Sequence, residues 1–204
     1  RNIRSRSNGT IDQFNFATDI RRQPGSTAKP LFDYGPGIEY NNWSTAQIFD
    51  DSAYTYSNGR SISNWDNSYM GRKTLRVVLS QSRNIPALKA FQQVDDTKKR
   101  RFVTGLGIIP EICAKGYEYN YDTDKCVNEE NAGDTHDPYT IHEAHAIGAF
   151  TGVCPLQMAG AYAAFGNGGY YAEPHSITKI VYKNSGEDIV EEFNFERNCE
   201  TIHK

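Results

Sequence analysis

The stretch Arg21-Arg22-Gln23-Pro24-Gly25-Ser26-Thr27-Ala28-Lys29-Pro30 places a hydroxyl and an amine three residues apart. On a helix, residues at this spacing share one face, so the Ser26 Oγ and the Lys29 Nζ can approach each other over a single turn. Pro24 and Gly25 end any preceding regular structure and allow a sharp turn, so we predict that Ser26 lies near the N-terminus of a helix. The free backbone amides of such a terminus can face a developing oxyanion.

This spacing predicts either a serine nucleophile with a lysine base or a helix cap followed by a solvated lysine. A serine hydroxyl is a weak nucleophile until a base removes its proton, and a lysine can be that base only when its amine is neutral. Burial favours the neutral amine, because it lowers a lysine pKa from ~10.4 by ~3 to 5 units. Residues 21–31 contain no histidine, aspartate or glutamate. Under the catalytic interpretation, Lys29 is therefore the expected base for Ser26.

A second hydroxyl lies in a predicted turn between two helices. Apolar residues at helical spacing predict a helix over Thr74–Ser80, and Pro86 suits the first turn of another helix that runs to Val94. Ser82 and Asn84 fall between these helices. A turn can present a hydroxyl and a carboxamide to a cleft, although both residue types are also common N-caps.

The order S-x-x-K and then S-x-N is the known signature of penicillin-binding proteins and active-site serine β-lactamases. Three longer blocks extend the resemblance: RRQPGSTAKP (21–30), GRKTLRVVLSQSRNIP (71–86) and PLQMAGAYAAFGNGGY (155–170). All three resemble the transpeptidase domain of class A penicillin-binding proteins and occur in that family's order. The resemblance runs from Arg1 to about Phe195.

The resemblance implies an α/β fold of the penicillin-binding transpeptidase type. A helical subdomain carrying Ser26 and Ser82 would pack on an antiparallel sheet, and only part of that sheet would belong to this segment. Residues 1–204 would form one partial transpeptidase domain. The family's third motif, K-T-G followed by serine or threonine, is absent, because the one Lys-Thr pair, at 73 and 74, precedes a leucine. We expect that motif beyond Lys204.

The same resemblance implies a membrane anchor and a glycosyltransferase domain elsewhere in the protein. It places the chain on the extracytoplasmic face of the bacterial cell membrane. There the K-T-G strand and the glycosyltransferase domain would be its intramolecular partners.

The activity implied by the resemblance is peptidoglycan DD-transpeptidation, with β-lactams as covalent inhibitors. Ser26 would attack a stem peptide ending in D-Ala-D-Ala, and Lys29 would accept its proton. Ser82 would relay a proton to the leaving amine, while Asn84 would bind the substrate peptide and help to fix Lys29. Two alternatives remain open: a DD-carboxypeptidase or serine β-lactamase with the same four residues, and a non-catalytic penicillin-binding sensor.

Composition gives no sign of a nucleic-acid partner, a metal or a cofactor. The net charge is -3 and the isoelectric point is about 6.0, whereas nucleic-acid binding usually needs a strongly cationic face. The dense basic run Lys98-Lys99-Arg100-Arg101 is predicted to be the solvated face of a helix. His136, His142 and His145 lack the arrangement of a metal site, so we predict surface or capping histidines.

Cys113 and Cys126 bracket a polar loop and predict a disulfide. A loop of this length gains about 3 kcal/mol from such a bond, which persists outside the cytoplasm. The region departs most from the family, so we predict an insertion at 111–140. Cys154 is expected to be a small buried residue.

Further elements follow from local patterns. We predict a helix over Thr97–Gly107 that begins at a cap on Asp96, and a helix over Pro155–Phe165. Alternation predicts a β-hairpin at 176–195, with a turn at 184–186.

Two loops complete the prediction. Gly35-Pro36-Gly37 should end the helix that carries Ser26. Tyr54–Gly71 has the composition of an extended loop, in which Trp65 and Tyr69 either pack beneath the loop or line a substrate groove.

Overall fold

The computed structural model describes residues 15–108, 110, 113–120, 123, 125–138, 141–150, 152–175, 179–182 and 189–192. Its helices are α1 (residues 25–41), α2 (Leu75–Ser80), α3 (Asn84–Gln93), α4 (Asp96–Gly105) and α5 (Pro155–Gly166), with a separate 3-10 helix at Glu143–Ile147. Its strands are β1 (Ile48–Asp51), β2 (Tyr54–Thr55), β3 (Ser61–Ile62), β4 (Gly71–Thr74), β5 (Tyr117–Asn120), β6 (Lys125–Asn128), β7 (Thr135–His136), β8 (Lys179–Tyr182) and β9 (Ile189–Glu192).

The described strands form small antiparallel sheets, in the orders β1-β4, β2-β3, β5-β6-β7 and β8-β9. Helices and antiparallel strands together make the α/β fold that was predicted. No described helix is long and apolar enough to cross a bilayer.

Helix α1 lies at the centre of the core, against α3, α4 and the 3-10 helix. Its residues Leu31 and Phe32 are buried in one apolar cluster with Leu88, Phe91 and Val103. Complete burial of a leucine or phenylalanine side chain contributes about 1.5–3 kcal/mol relative to exposure. This packing fixes the position of α1 relative to α3.

Helix α1 also changes type along its length, from a 3-10 helix at Gly25–Ala28 through a π-helix at Pro30–Tyr34 to an α-helix at Gly35–Asn41. The prediction that Gly35-Pro36-Gly37 ends this helix is therefore wrong. The π turn bonds the Gly35 N–H to the Pro30 carbonyl, so Pro36 enters at the first turn of a new hydrogen-bonding pattern. A missing amide is tolerated there.

The two helices around Ser82 are confirmed: they begin within two residues of the predicted positions and end within one. The Thr74 side chain accepts a hydrogen bond from the Val77 N–H at 3.4 Å and so caps α2. The predicted helix over Pro155–Phe165 is also confirmed, as α5.

Helix α4 corrects two predictions. Its cap is Asp95 rather than Asp96, because the Asp95 carboxylate accepts hydrogen bonds from the first-turn amides. The basic run is not uniformly solvated, since Lys99 and Arg100 are buried. Lys99 pairs with Asp96 at 2.6 Å and donates to the Phe91 carbonyl at 2.9 Å, which compensates its burial.

The segment Tyr54–Gly71 is more ordered than predicted, because it contains the β2-β3 hairpin and ends in β4. Trp65 and Tyr69 are 69% and 57% exposed, so packing beneath the loop is the wrong interpretation. His145 is buried against Phe150 and is not the surface histidine that was predicted.

The small sheet of β5, β6 and β7 is closed by the predicted disulfide, with Cα atoms of Cys113 and Cys126 5.6 Å apart. Cys154 is buried with a free thiol, as expected. An insertion at 111–140 stays a prediction. Strands β8 and β9 pair antiparallel within the predicted hairpin at 176–195. Its predicted turn at 184–186 lies outside the described residues, and its bounds stay a prediction.

Candidate active site

The two residues of the S-x-x-K motif lie one turn apart on α1 in contrasting environments. Ser26 is the second residue of the helix and is exposed, which confirms the predicted helix start. Lys29 is completely buried. Among the described residues no hydrogen bond joins the two side chains, so other groups hold the lysine.

Those groups belong to the S-x-N motif, which the chain brings to the lysine from 53 and 55 residues away. The Lys29 amine contacts the Ser82 carbonyl at 2.7 Å, the Ser82 Oγ at 3.1 Å and the Asn84 Oδ1 at 2.8 Å. The three contacts match the three donors of an ammonium group. The structure thus brings Lys29, Ser82 and Asn84 into one hydrogen-bonded cluster.

The electrostatic setting of this cluster makes the neutral amine more accessible than in an ordinary lysine. Burial lowers the pKa of Lys29 from 10.5 to about 8, Asp33 acts in the opposite direction, and the Arg83 charge adds to the lowering. A solvated lysine, the alternative interpretation of the motif, is therefore wrong.

Asp33 is a site residue that sequence analysis gave no role. Its side chain is buried one turn after Lys29, and neither carboxyl oxygen has a hydrogen-bond partner among the described residues. Burial raises its pKa well above the usual range, although the charges of Lys29 and Lys99 oppose this. Burial thus favours the protonated form of the carboxyl. Its spacing of four residues from Lys29 on a helix was the available signal in the sequence, and it was not used.

Ser82 occupies an unusual backbone conformation, with φ of 50° in the left-handed region. Such a conformation costs a non-glycine residue of order 1–3 kcal/mol and persists where the surrounding structure enforces it. The adjacent Ser82 and Arg83 amides donate to the Leu79 and Val78 carbonyls, each at 2.9 Å. These bonds turn the chain sharply between α2 and α3.

Arg83, the middle residue of S-x-N, points away from the lysine into a buried ionic network. Its Nε contacts the Asp51 Oδ2 at 2.7 Å, and its Nη1 contacts the Asp66 Oδ2 at 2.8 Å. Its Nη2 donates to the Ser68 carbonyl. Arg83 is 2% exposed and Asp51 is completely buried.

Asn64 links this network to the start of α3. Its Oδ1 accepts the backbone N–H of Asn84 at 2.8 Å and that of Ile85 at 3.3 Å, and so caps a helix whose own N-cap residue supplies no side-chain bond. Its Nδ2 donates to the Asp51 Oδ1 at 2.8 Å and to the Ser68 carbonyl at 2.9 Å. All four hydrogen-bonding positions of the Asn64 amide are occupied.

The backbone under Ser26 is closely packed. The Gly25 N–H donates to the Gly148 carbonyl at 3.4 Å, and a Cβ added to Gly148 would overlap the Gly25 backbone. Arg22 and Val153 exchange two backbone hydrogen bonds beside this contact. The N-terminus of α1 is thus supported by a chain segment that runs into α5.

In the described residues, no group of three or more histidine, cysteine, aspartate or glutamate side chains is arranged to hold a metal ion.

The chain is similar to known proteins over most of its length. The family described as "Penicillin binding protein transpeptidase domain" matches residues 3–198. Penicillin-binding protein 1A/1B of Bacillus subtilis is 46% identical over 180 residues, which are 87% of this chain and 17% of that protein. Penicillin-binding protein 1A of Streptococcus oralis is 36% identical over 190 residues, covering 89% of this chain and 25% of that protein. The chain therefore spans a quarter or less of the length of these relatives.

Solved structures agree with this match. Penicillin-binding protein 1A from Haemophilus influenzae superposes with a TM-score of 0.63 at 30% identity, over 87% of this chain and 23% of that one. PonA1 from Mycobacterium tuberculosis in complex with penicillin V gives a TM-score of 0.62 at 19% identity, over 83% of this chain and 41% of that one.

Proposed function

Because this chain belongs to the transpeptidase domains of class A penicillin-binding proteins, we propose that it forms the acyl-enzyme of a peptidoglycan DD-transpeptidase on Ser26. The observation that carries this proposal is the completely buried Lys29 amine in contact with Ser82 and Asn84. A buried lysine with a pKa of about 8 can accept a proton near neutral pH, which an ordinary lysine cannot.

In this proposal the Ser26 Oγ attacks the carbonyl carbon between the two terminal D-alanines of a stem peptide. Its proton passes to Lys29, and the carbonyl oxygen becomes an oxyanion. The amide of Ser26 lies in the first turn of α1, where backbone N–H groups lack an intrahelical acceptor. We assign it as one oxyanion donor, and loss of one such donor typically lowers kcat by ~10²- to 10³-fold.

Collapse of the intermediate breaks the C–N bond, and the leaving amine takes a proton by way of Ser82. Two of the Lys29 partners, the Ser82 carbonyl and the Asn84 Oδ1, only accept hydrogen bonds. The Ser82 hydroxyl can accept from an ammonium or donate to the lone pair of a neutral amine. It can therefore reverse its hydrogen bond as the lysine gains or loses a proton, which a relay requires.

Release of D-alanine leaves an ester on Ser26. The amine of a neighbouring stem peptide then attacks this ester and forms the crosslink. Asn84 would bind the donor peptide and hold Lys29. β-Lactams would acylate Ser26 in place of the substrate, in keeping with the penicillin V complex of the PonA1 protein.

We further propose that the chain works with a K-T-G strand, a glycosyltransferase domain and a membrane anchor of the same protein, on the extracytoplasmic face of the membrane. The disulfide between Cys113 and Cys126 supports this location, because such bonds persist outside the reducing cytoplasm.

The test is to label the intact protein with a fluorescent penicillin and to map the adduct by mass spectrometry. We expect one adduct on Ser26 and none in Ser26→Ala. An adduct on Ser82 with Ser26 unmodified would overturn the assignment.

Product analysis with a pentapeptide donor and an acceptor amine separates the alternatives. A crosslinked product supports the transpeptidase. Hydrolysis alone indicates a carboxypeptidase, rapid release of penicilloate indicates a β-lactamase, and stable acylation without any product indicates a sensor.

A further inference from the structure

Behind the reacting groups lies a second set of residues that the proposed chemistry does not use. They are polar, they come from β1, the segment after β3 and the turn before α3, and they bond to one another: Asp51, Asn64, Asp66, Ser68 and Arg83. We call this set the clamp. We propose that the clamp positions Ser82 and Asn84 for acylation, an inference that rests on the proposed function.

The first contact between the clamp and the site is at the Asn84 backbone. Asn64 accepts the Asn84 N–H at 2.8 Å and is itself held by Asp51. The position of the first residue of α3 is thereby tied to a buried carboxylate on β1.

The second contact fixes the direction of the Asn84 side chain. The Asn84 Nδ2 donates to the carbonyl of Ser63, the residue before Asn64, at 2.9 Å. This bond directs the Oδ1 of the same amide towards Lys29. If the segment moved, the amide could turn and present an N–H group to the lysine, and the ammonium form of Lys29 cannot accept that bond.

The third contact acts on Ser82 through the chain. Arg83 follows Ser82 directly, and its guanidinium is held on three sides by clamp residues. Because Arg83 is fixed, Ser82 must adopt the left-handed conformation for its carbonyl and hydroxyl to contact the Lys29 amine.

Stability alone gives little reason for such a network. Removing two charges from water costs about as much as their attraction returns, and well-packed apolar residues often replace a buried ion pair without loss of stability. A buried ion pair beside reacting groups is therefore better explained by a role in holding those groups in position. We treat the clamp residues as positioning residues, since none of them touches the reacting atoms.

The strand β1 offers a matched pair of variants for a test in the intact protein. Asp51→Asn removes the buried carboxylate of the clamp. Asp50→Asn makes the same change one residue earlier, at a half-exposed side chain that pairs with Lys89 at 3.4 Å outside the clamp. Acylation by a fluorescent penicillin would be measured as a second-order rate across pH, together with the thermal unfolding of each variant.

We expect acylation by Asp51→Asn to fall by at least about tenfold, because a misplacement of about 1 Å can cost up to 10²-fold in rate. The midpoint of its pH profile should also move to lower pH, since the Arg83 charge loses its nearest charged partner and then disfavours the Lys29 ammonium more strongly. Asp33, the other titratable group that acts on Lys29, is unchanged in this variant. Asp50→Asn should alter neither quantity. If Asp51 had a purely structural role, Asp51→Asn would lower the folded fraction and leave the midpoint of the pH profile unchanged.

Arg83→Lys gives an independent variant if Asp51→Asn does not fold. It keeps the charge but lacks the planar guanidinium that spans Asp51, Asp66 and the Ser68 carbonyl together, so the rate should fall while the midpoint stays. The clamp proposal is overturned if either folded variant reacts within twofold of the unmodified protein. It is also overturned if the loss in Asp51→Asn equals its loss of folded protein with the midpoint unmoved. If the unmodified protein is not acylated at all, the proposed function fails instead, and the clamp proposal falls with it.

Discussion

The pKa of Lys29 leads to a quantitative prediction for the rate of acylation. If the neutral amine removes the Ser26 proton, the rate follows the neutral fraction of the lysine. At about pH 7.5 a lysine with a pKa of about 8 is about one quarter neutral, whereas a lysine with a pKa of 10.5 is only about one part in a thousand neutral. The buried site thus raises the amount of active base by roughly two orders of magnitude.

The sign of the pH dependence follows directly. Acylation should rise about tenfold per pH unit well below pH 8 and level off above that value. The assay is the second-order rate of acylation of the intact protein by a fluorescent penicillin between about pH 5.5 and 9.5. A flat profile, or a rate that still rises steeply at the upper end, would refute a lysine base with a lowered pKa.

Two substitutions separate a base from a fixed positive charge. Lys29→Arg keeps a charge that cannot be given up at any useful pH, and Lys29→Met keeps much of the side-chain volume without the amine. Both should abolish acylation to a similar extent. Because arginine adds volume at a completely buried position, the fold of each variant is checked by thermal unfolding. Substantial acylation by folded Lys29→Arg would show that the site needs only the charge.

Two further predictions concern residues around Lys29 and Ser26. Because the pKa of Asp33 is raised by folding, the folded chain keeps a proton that the unfolded chain loses above ~3.9. Between that value and the folded pKa, the free energy of unfolding should therefore fall by about 1.4 kcal/mol per pH unit. Asp33→Asn cannot ionise, so it should flatten this part of the plot of unfolding free energy against pH. Denaturant unfolding between about pH 5 and 8 measures the slope, and an unchanged slope would contradict a buried carboxyl that favours its protonated form. Gly148 has a left-handed backbone, and Gly148→Ala would bring a methyl group into the Gly25 backbone, so we expect a loss of more than about 1 kcal/mol in stability together with slower acylation. Normal acylation would show that the start of α1 tolerates displacement.

The predicted part of the site rests on short-range patterns. Ser26 and Lys29 lie within one turn, and the helices on either side of Ser82 were visible from apolar spacing, so these three residues were placed correctly. Asn84 was predicted in the turn but is the first residue of α3. Their meeting in space was implied by the resemblance alone. No local pattern indicates that the side chain of Asn84 reaches Lys29 across 55 residues.

The site contacts that the sequence did not predict join residues that are far apart in the chain. Asp51 and Arg83 are 32 residues apart, and their contact follows from the placing of β1 beside β4. Asn64 caps a helix that begins 20 residues later. The π turn of α1 is equally invisible, since no spacing of residues distinguishes it from an α turn before Pro36.

The conformation of Ser82 limits which amino acids evolution can place there. The proposed proton relay needs a hydroxyl, which leaves serine and threonine among the small residues. The φ of 50° excludes threonine in practice, because a β-branched side chain is strongly disfavoured in the left-handed region. Glycine and asparagine suit the backbone but carry no hydroxyl. Among the small residues, serine alone satisfies both demands, so this position can change only if the turn between α2 and α3 is rebuilt around it.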